Sequence, residues 1–225
     1  MENKVEEIFE GVFKIDNFLA TKNLVKGTRV YNEKLFSING IEYREWNFFK
    51  SKLAAAIKKG LKNFPFKKNS EVLYLGASTG TTISHISDIL TEGIVVGIEF
   101  AQRPMRELLN LAKLRENIIP IFADANHPET YFEKQEEFRA DIIYQDVAQP
   151  NQDEILIKNS KFYLKRGGDA FLCIKSQSID VVLKPAEVYK KVIENLEKNG
   201  FKTIQKIELE PYDKDHLFWH GKYLI

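Results

Sequence analysis

Residues 72–82 read VLYLGASTGTT, an apolar run closed by two glycines that stand four residues apart among hydroxyl side chains. A continuous apolar strand of this kind is buried on both faces. Gly76 and Gly80 let the backbone turn tightly and approach a ligand. The helix expected next, over SHISDIL (84–90), offers free N–H groups at its start. The spacing is not the dinucleotide pattern GxGxxG, because Ser78 and Thr81 occupy the second and third glycine positions. A pyrophosphate cradle is disfavoured, and the loop alone is compatible with a simple strand-to-helix turn.

Working outward, strands and helices alternate. IVVGIEF (94–100), IIPIF (118–122), ADIIYQDV (140–147) and DAFLCIK (169–175) read as strands. PMRELLNLAKLR (104–115), EILIKNSKFYL (154–164) and AEVYKKVIENLEK (186–198) have apolar residues at helical spacing. This rhythm predicts an α/β fold with a mostly parallel, Rossmann-like sheet covered on both faces. FKTIQKIELE (201–210) and HLFWHGKYLI (216–225), joined by a short turn, predict an antiparallel hairpin at the sheet edge. Upstream, Ser51 suits the cap of a helix through KLAAAIKK, and Gly60 suits its end. Residues 1–50 instead predict a small antiparallel sheet from GVFKI (11–15), TRVYN (28–32), LFSI (35–38) and IEYREW (41–46). Asn39-Gly40 between the last two is a hairpin signal, since a type I′ turn needs positive φ at both central residues. The expected organisation is a small β domain over 1–50 and a larger α/β domain over 51–225.

The 225 residues carry 33 Lys+Arg against 32 Asp+Glu, with 44% apolar and 29% charged residues. That composition excludes intrinsic disorder and collagen-like structure. A net charge of +1 cannot hold a polyanion by bulk attraction, so nucleic acid would need a local patch or a partner. Lys58, Lys59, Lys62, Lys67 and Lys68 form one basic stretch that suits either an RNA border or a solvated surface. Cys173 is the single cysteine, which excludes an internal disulfide and a cysteine-based zinc site; no metal is expected. The charged start MENKVEEIFEG lacks the apolar segment of a signal peptide, and no run is long enough to span a bilayer. A cytoplasmic protein without a membrane partner is expected.

The carboxyl ends of the expected strands carry polar chemistry. Glu99 follows Gly80 by 19 residues, the distance at which a strand-end acid accepts from ribose hydroxyls. Phe100 beside it can stack on adenine. Asp124-Ala125-Asn126 can accept from an exocyclic amine, although Asp and Asn also favour turns. Asp146-Val147-Ala148-Gln149 closes the next strand, and Asp141 at its start reads as structural. Nucleoside-type groups without a pyrophosphate loop point to S-adenosyl-L-methionine.

SKLAAAI (51–57), LYLGASTGTT (73–82), DVAQPNQ (146–152), IKSQSIDV (174–181) and the Asp-His of YDKDHLF (212–218) together resemble fibrillarin, over essentially the whole chain. The resemblance implies a class I methyltransferase fold with seven strands, the last antiparallel, plus a small N-terminal β domain. It implies 2′-O-methylation of ribose in rRNA, and of tRNA in archaea. The long Gly/Arg-rich tail of eukaryotic members is absent, as in the archaeal form. The family's Lys-Asp-Lys-His set falls on Lys52, Asp146, Lys175 and His216. Its cofactor positions fall on Gly76, Thr81, Thr82, Glu99, Phe100, Asp124, Ala125, Asp146, Val147, Ala148 and Gln149, with Gly80 left to turn geometry. Lys175 is expected to be the main activator of the ribose hydroxyl. An ammonium near that oxygen favours its anionic form, and the lysine acts as a base only if its pKa falls from about 10.4. The implied partners are a Nop-type scaffold protein, a kink-turn-binding protein of ribosomal type, a box C/D guide RNA, and substrate rRNA or tRNA. Two alternatives remain from the residues: a stand-alone methyltransferase for a protein or small molecule, and a cofactor-binding subunit without catalysis.

Overall fold

The structure is a computed structural model and describes residues 4–134 and 138–225. Residues 1–3, which open the charged N-terminal stretch, lie outside the described residues.

The N-terminal part is a five-stranded antiparallel sheet. Its strands are β1 (Val5–Phe9), β2 (Val12–Ile15), β3 (Phe18–Lys22), β4 (Leu35–Ile38) and β5 (Ile41–Glu45), in the order β1-β2-β3-β5-β4. Asn39 and Gly40 take φ of 51° and 79°, and Ile38 pairs with Ile41 across that turn. Asp16-Asn17 makes a second tight hairpin, between β2 and β3. Two strands, β1 and β3, go beyond the sequence expectation, and TRVYN (28–32) is not a strand. Its backbone is satisfied by a side chain instead. The buried Glu33 carboxylate accepts the N–H groups of Val30 at 3.0 Å and Tyr31 at 2.8 Å, and pairs with Arg44 at 2.7 Å.

The larger part begins with α1 (Lys52–Lys58), capped by Ser51 as expected. Then follow β6 (Glu71–Leu75), α2 (Thr81–Ile89), β7 (Ile94–Glu99), α3 (Gln102–Ala112), β8 (Ile118–Phe122), β9 (Ala140–Gln145), α4 (Gln152–Tyr163), β10 (Leu164–Lys175), the short α5 (Ser176–Ile179), α6 (Pro185–Lys198), β11 (Phe201–Glu208) and β12 (His216–Tyr223). The sheet order is β11-β12-β10-β9-β6-β7-β8. β12 runs antiparallel between β10 and β11, so the expected edge hairpin is present. This is the mixed, mostly parallel methyltransferase sheet that the resemblance implied.

Residues alternate between two cores. Val72 and Tyr74 of β6 face α1, α2 and α3, whereas Leu73 and Leu75 face α4 and α6. The strand order reverses between β7-β6 and β9-β10, and open α/β sheets bind ligands outside the carboxyl ends at such a point. Lys67 and Lys68 precede β6, at the sheet's opposite end, and Lys68 is paired with Glu92 at 2.7 Å. Among the described residues no helix is long and apolar enough to cross a membrane.

Candidate active site

Gly76 leaves the end of β6 with φ of 81°. A Cβ there would stand 2.8 Å from the Asp146 carbonyl oxygen, so only glycine lets the loops after β6 and β9 lie this close. The Asp146 N–H donates to the Leu75 carbonyl at 2.9 Å, holding the two strand ends together. Beyond them opens a cavity of about 450 Å³. Its wall includes Gly76, Thr81, Thr82, Glu99, Phe100, Ala125 and Asp146 through Gln149. Gly80 is not on that wall. It caps α2 in a left-handed conformation and packs against Leu111.

Glu99 is buried at the end of β7. Its two carboxylate oxygens accept the Ser78 N–H at 2.9 Å and the Ala101 N–H at 2.8 Å. Each oxygen keeps a further lone pair for hydroxyl groups. Phe100 is 59% exposed, so core packing does not explain it. Asp124 is not on the cavity wall. Its Oδ1 accepts from the N–H and Nδ2 of Asn126. Burial opposes ionisation of Asp124, but these bonds outweigh it and hold its pKa below the usual carboxylate range. Asn126 also bonds Gln149 and Asn151, which ties the loop after β8 to the loop after β9.

One end of the cavity is charged. Lys52 Nζ lies 3.2 Å from Asp146 Oδ2, and Lys175 Nζ lies 2.8 Å from Asp146 Oδ1. Burial alone would raise the Asp146 pKa, but the two ammonium groups outweigh it and leave it lowered. Burial likewise opposes the charge on Lys52, yet facing Asp146 and Asp213 its pKa is raised. Lys175 Nζ points its hydrogen bond at the Asp146 carbonyl, 3.3 Å away. Asp146 Oδ1 is therefore buried without a directed hydrogen bond, its contact with Lys175 being one of charge. The Lys175 N–H donates to Gln152 Oε1 at 3.0 Å, which fixes the end of β10 and gives the last residue of DVAQPNQ a role.

His216 joins this group indirectly. It is paired with Lys175 across β10 and β12. Its Nδ1 lies 3.0 Å from Asp213 and 2.7 Å from the Lys214 carbonyl, and Asp213 reaches Lys52 at 3.4 Å. Sequence reasoning missed Asp213, which looked like one more turn residue of the PYDKD segment. It also passed over Lys50, Tyr74, Ala77, Ser78, Thr79, Ile98, Pro104 and Ala123 on the cavity wall. Ser78 takes φ of 51°, a left-handed conformation that a non-glycine residue does not announce in the sequence.

Comparison with known proteins identifies the family. The fibrillarin family model matches residues 2–224. The fibrillarin-like rRNA/tRNA 2′-O-methyltransferase of Methanocaldococcus jannaschii is 52% identical, over 97% of this chain and 98% of its own. The protein of that name from Saccharolobus solfataricus is 50% identical, over 99% and 96%. Among solved structures, the Methanococcus jannaschii fibrillarin pre-rRNA processing protein superposes with a TM-score of 0.94 at 51% identity, covering 99% of this chain and 98% of its own. Aeropyrum pernix fibrillarin, solved with natively bound S-adenosyl-L-methionine, gives 0.87 at 43% identity, covering 98% and 100%. A fibrillarin in complex with Nop5p gives 0.89 at 41%, covering 97% and 100%. A family model matched over nearly the whole chain, a superposition at a TM-score of 0.94 and half the residues in common leave one assignment: the chain belongs to the fibrillarin family.

Proposed function

We propose that this chain transfers a methyl group from S-adenosyl-L-methionine to the 2′-hydroxyl of ribose in rRNA and tRNA, as the catalytic subunit of a guide-RNA particle. The observation that carries this reading is the cluster of two ammonium groups on one buried carboxylate, Lys52, Asp146 and Lys175, at the end of a nucleoside-sized cavity. The residues fit the cofactor. Glu99 would accept from its ribose hydroxyls, Phe100 would stack on its adenine, and Thr81, Thr82 and the start of α2 would face its amino-acid tail. Asp124 would act through Asn126 and Gln149 rather than by direct contact. The bound cofactor supplies an electrophilic sulfonium methyl.

The rest of the chemistry falls to the chain. A ribose hydroxyl is a weak nucleophile and must lose its proton as it attacks. Lys175, placed 2.8 Å from Asp146 Oδ1, donates to that oxygen and stabilises its developing negative charge, and the proton leaves to water. In this reading Lys175 activates the hydroxyl as a hydrogen-bond donor at the end of β10. Asp146 fixes both lysines, and His216 positions Lys52 by orienting Asp213. Near-neutral net charge suits a subunit whose RNA selection is delegated. The partners we infer are a Nop-type scaffold, a kink-turn-binding protein and a box C/D guide RNA. We place the particle in the cytoplasm.

The test is methyl transfer from labelled cofactor to a guide-complementary RNA in the reconstituted particle, with the modified atom mapped. Wild type should label a single 2′-oxygen. Lys175→Ala should slow transfer about 100-fold, the scale of losing one donor to a developing oxyanion. Equal turnover by Lys175→Ala would reject its role, and no transfer by wild type would leave a cofactor-binding subunit without catalysis.

A further inference from the structure

Three lysines stand on the wall of the main cavity, Lys50, Lys52 and Lys175. Lys52 and Lys175 both face Asp146 at close range. Lys50 differs from them. It is exposed, and among the described residues its ammonium has no acidic partner. It also lines a smaller cleft of about 80 Å³ together with Lys52 and Asp213, so it stands where the cavity meets a second recess.

The segment that carries Lys50 is held on both sides. Its own N–H donates to the Asn47 carbonyl at 3.1 Å, and the Asn47 N–H donates to the Tyr31 hydroxyl at 3.1 Å. Phe48 and Phe49 pack on Tyr212 with ring centroids 4.9 Å and 5.2 Å away. On the other side Ser51 caps α1 and accepts the Thr82 hydroxyl at 2.9 Å. A lysine with a fixed backbone and a free ammonium at the mouth of a site suits an anion that the protein itself does not supply.

The proposed reaction brings one. The 2′- and 3′-carbons of ribose are bonded to each other, so the phosphodiester on the 3′-oxygen enters the mouth of the site with the reacting hydroxyl. This holds while the nucleotide stays paired and stacked, because an A-form duplex displays its 2′-hydroxyls in a wide, shallow groove where they are reached together with phosphates. The cofactor's carboxylate is the other anion nearby, but the free N–H groups at the start of α2 already suit it. We propose that Lys50 binds the phosphate on the 3′ side of the methylated nucleotide and so holds the guided duplex with its 2′-oxygen at Lys175. The inference rests on the function proposed above, whose substrate it positions.

The experiment uses the assembled particle. The substrate strand is supplied as two pieces that abut on the guide. The upstream piece ends in the methylated nucleotide with either a 3′-phosphate or a 3′-hydroxyl, and the downstream piece begins with a 5′-hydroxyl, so the two forms differ by that phosphate alone. Wild type should methylate the phosphate form with a kcat/KM about fivefold higher, the scale of one exposed ion pair. Lys50→Ala should erase the difference and Lys50→Arg should keep it, with cofactor affinity unchanged in both. Binding of intact substrate RNA gives a readout without turnover. Its slope of log affinity against log salt should be shallower by about 1 in Lys50→Ala, as for one lost phosphate contact, and unchanged in Lys67→Ala at the opposite end of the sheet. No phosphate preference in an active wild type, the same preference in Lys50→Ala, or an unchanged slope would each overturn the proposal and leave the function standing. Weaker cofactor binding by Lys50→Ala would give this lysine to the cofactor's carboxylate and also overturn it. A shallower slope in Lys50→Ala, where wild type transfers no methyl group, would uphold the contact and reject the function.

Discussion

Gly76 and Asp146 show how much of the site depends on single atoms. At Gly76 two demands coincide, a φ of 81° and a Cβ position 2.8 Å from the Asp146 carbonyl oxygen. The neighbour is backbone and cannot swing away. Gly76→Ala should therefore push the loops after β6 and β9 apart and weaken cofactor binding more than tenfold, as read by calorimetric titration. Gly60 is the control. Its φ is 95° but nothing lies within 4 Å of its Cβ position, so Gly60→Ala should cost only the ~1–2 kcal/mol of left-handed backbone strain and leave binding alone. Equal affinity in the two variants would show that the close approach is not needed. The glycine was legible in the sequence because a βα turn demands it. The partners of Asp146 were legible only through family resemblance: Lys52 and Lys175 lie 94 and 29 residues away, and a lysine near a helix start or strand end looks like a surface charge.

At the scale of an element, α2 is the part whose surroundings the sequence concealed. SHISDIL alternates apolar and polar residues, so Ser84, His85, Ser87 and Asp88 look like a solvated helix face. In the structure all four are buried. Asp88 pairs with Arg44 at 3.1 Å and Arg115 at 2.6 Å, while Arg44 Nη2 donates to Ser84 Oγ at 3.0 Å. Trp46 stacks on His85 with centroids 4.9 Å apart. These partners come from β5, its following residue and the turn before β8, distances over which no periodicity reports. The clamp holds the helix whose first turn forms the cavity rim. It also carries a pH signature. Burial, then Arg44 and Arg115, push the His85 pKa well below its ordinary value. His85 thus stays neutral in the fold while the unfolded chain takes up a proton below about pH 6.5. The unfolded state binds more protons there, so stability is full above that pH and falls by about 1.4 kcal/mol per unit below it. Urea unfolding between pH 7.5 and 5 should show this slope in wild type. His85→Gln should be less stable at pH 7.5 but lack that part of the slope; parallel curves would mean that His85 titrates alike in both states.

Across the whole molecule, the seven-stranded sheet was readable because its central strands are nearly continuous apolar runs. The five-stranded sheet was harder, because its short strands show alternate residues to solvent and its longest non-strand segment, around TRVYN, is apolar enough to imitate one. Sequence also suggested a boundary near residue 50, and the two sheets do fall on either side of it. The first sheet keeps a small cluster of its own, Phe13, Ile15, Ala20 and Tyr43, but its other buried residues do not separate from the larger part there. Val12, Leu19 and Trp46 belong to the same buried cluster as Leu53 of α1 and Ile83, Ile86 and Ile89 of α2. Thr82 donates to the cap residue Ser51 at 2.9 Å, and Thr21 of β3 donates to Asp88 at 2.7 Å. A sheet with only four buried apolar residues in a cluster of its own, and with its buried charges shared with its neighbour, has little left to stabilise it alone, since breaking buried pairs is costly. The chain should therefore unfold as one unit despite its two sheets. Its two tryptophans report this directly, because Trp46 ends the first sheet and Trp219 lies in β12 of the second. Trp46→Phe leaves a probe of the larger sheet, and Trp219→Phe leaves a probe of the junction. In each variant, tryptophan fluorescence and far-ultraviolet dichroism should give one urea transition with coincident midpoints. If fluorescence from Trp46 is lost at lower urea than the dichroism of the remaining sheet, the first 50 residues form a separately folding domain, and the buried clamp is weaker than its geometry implies.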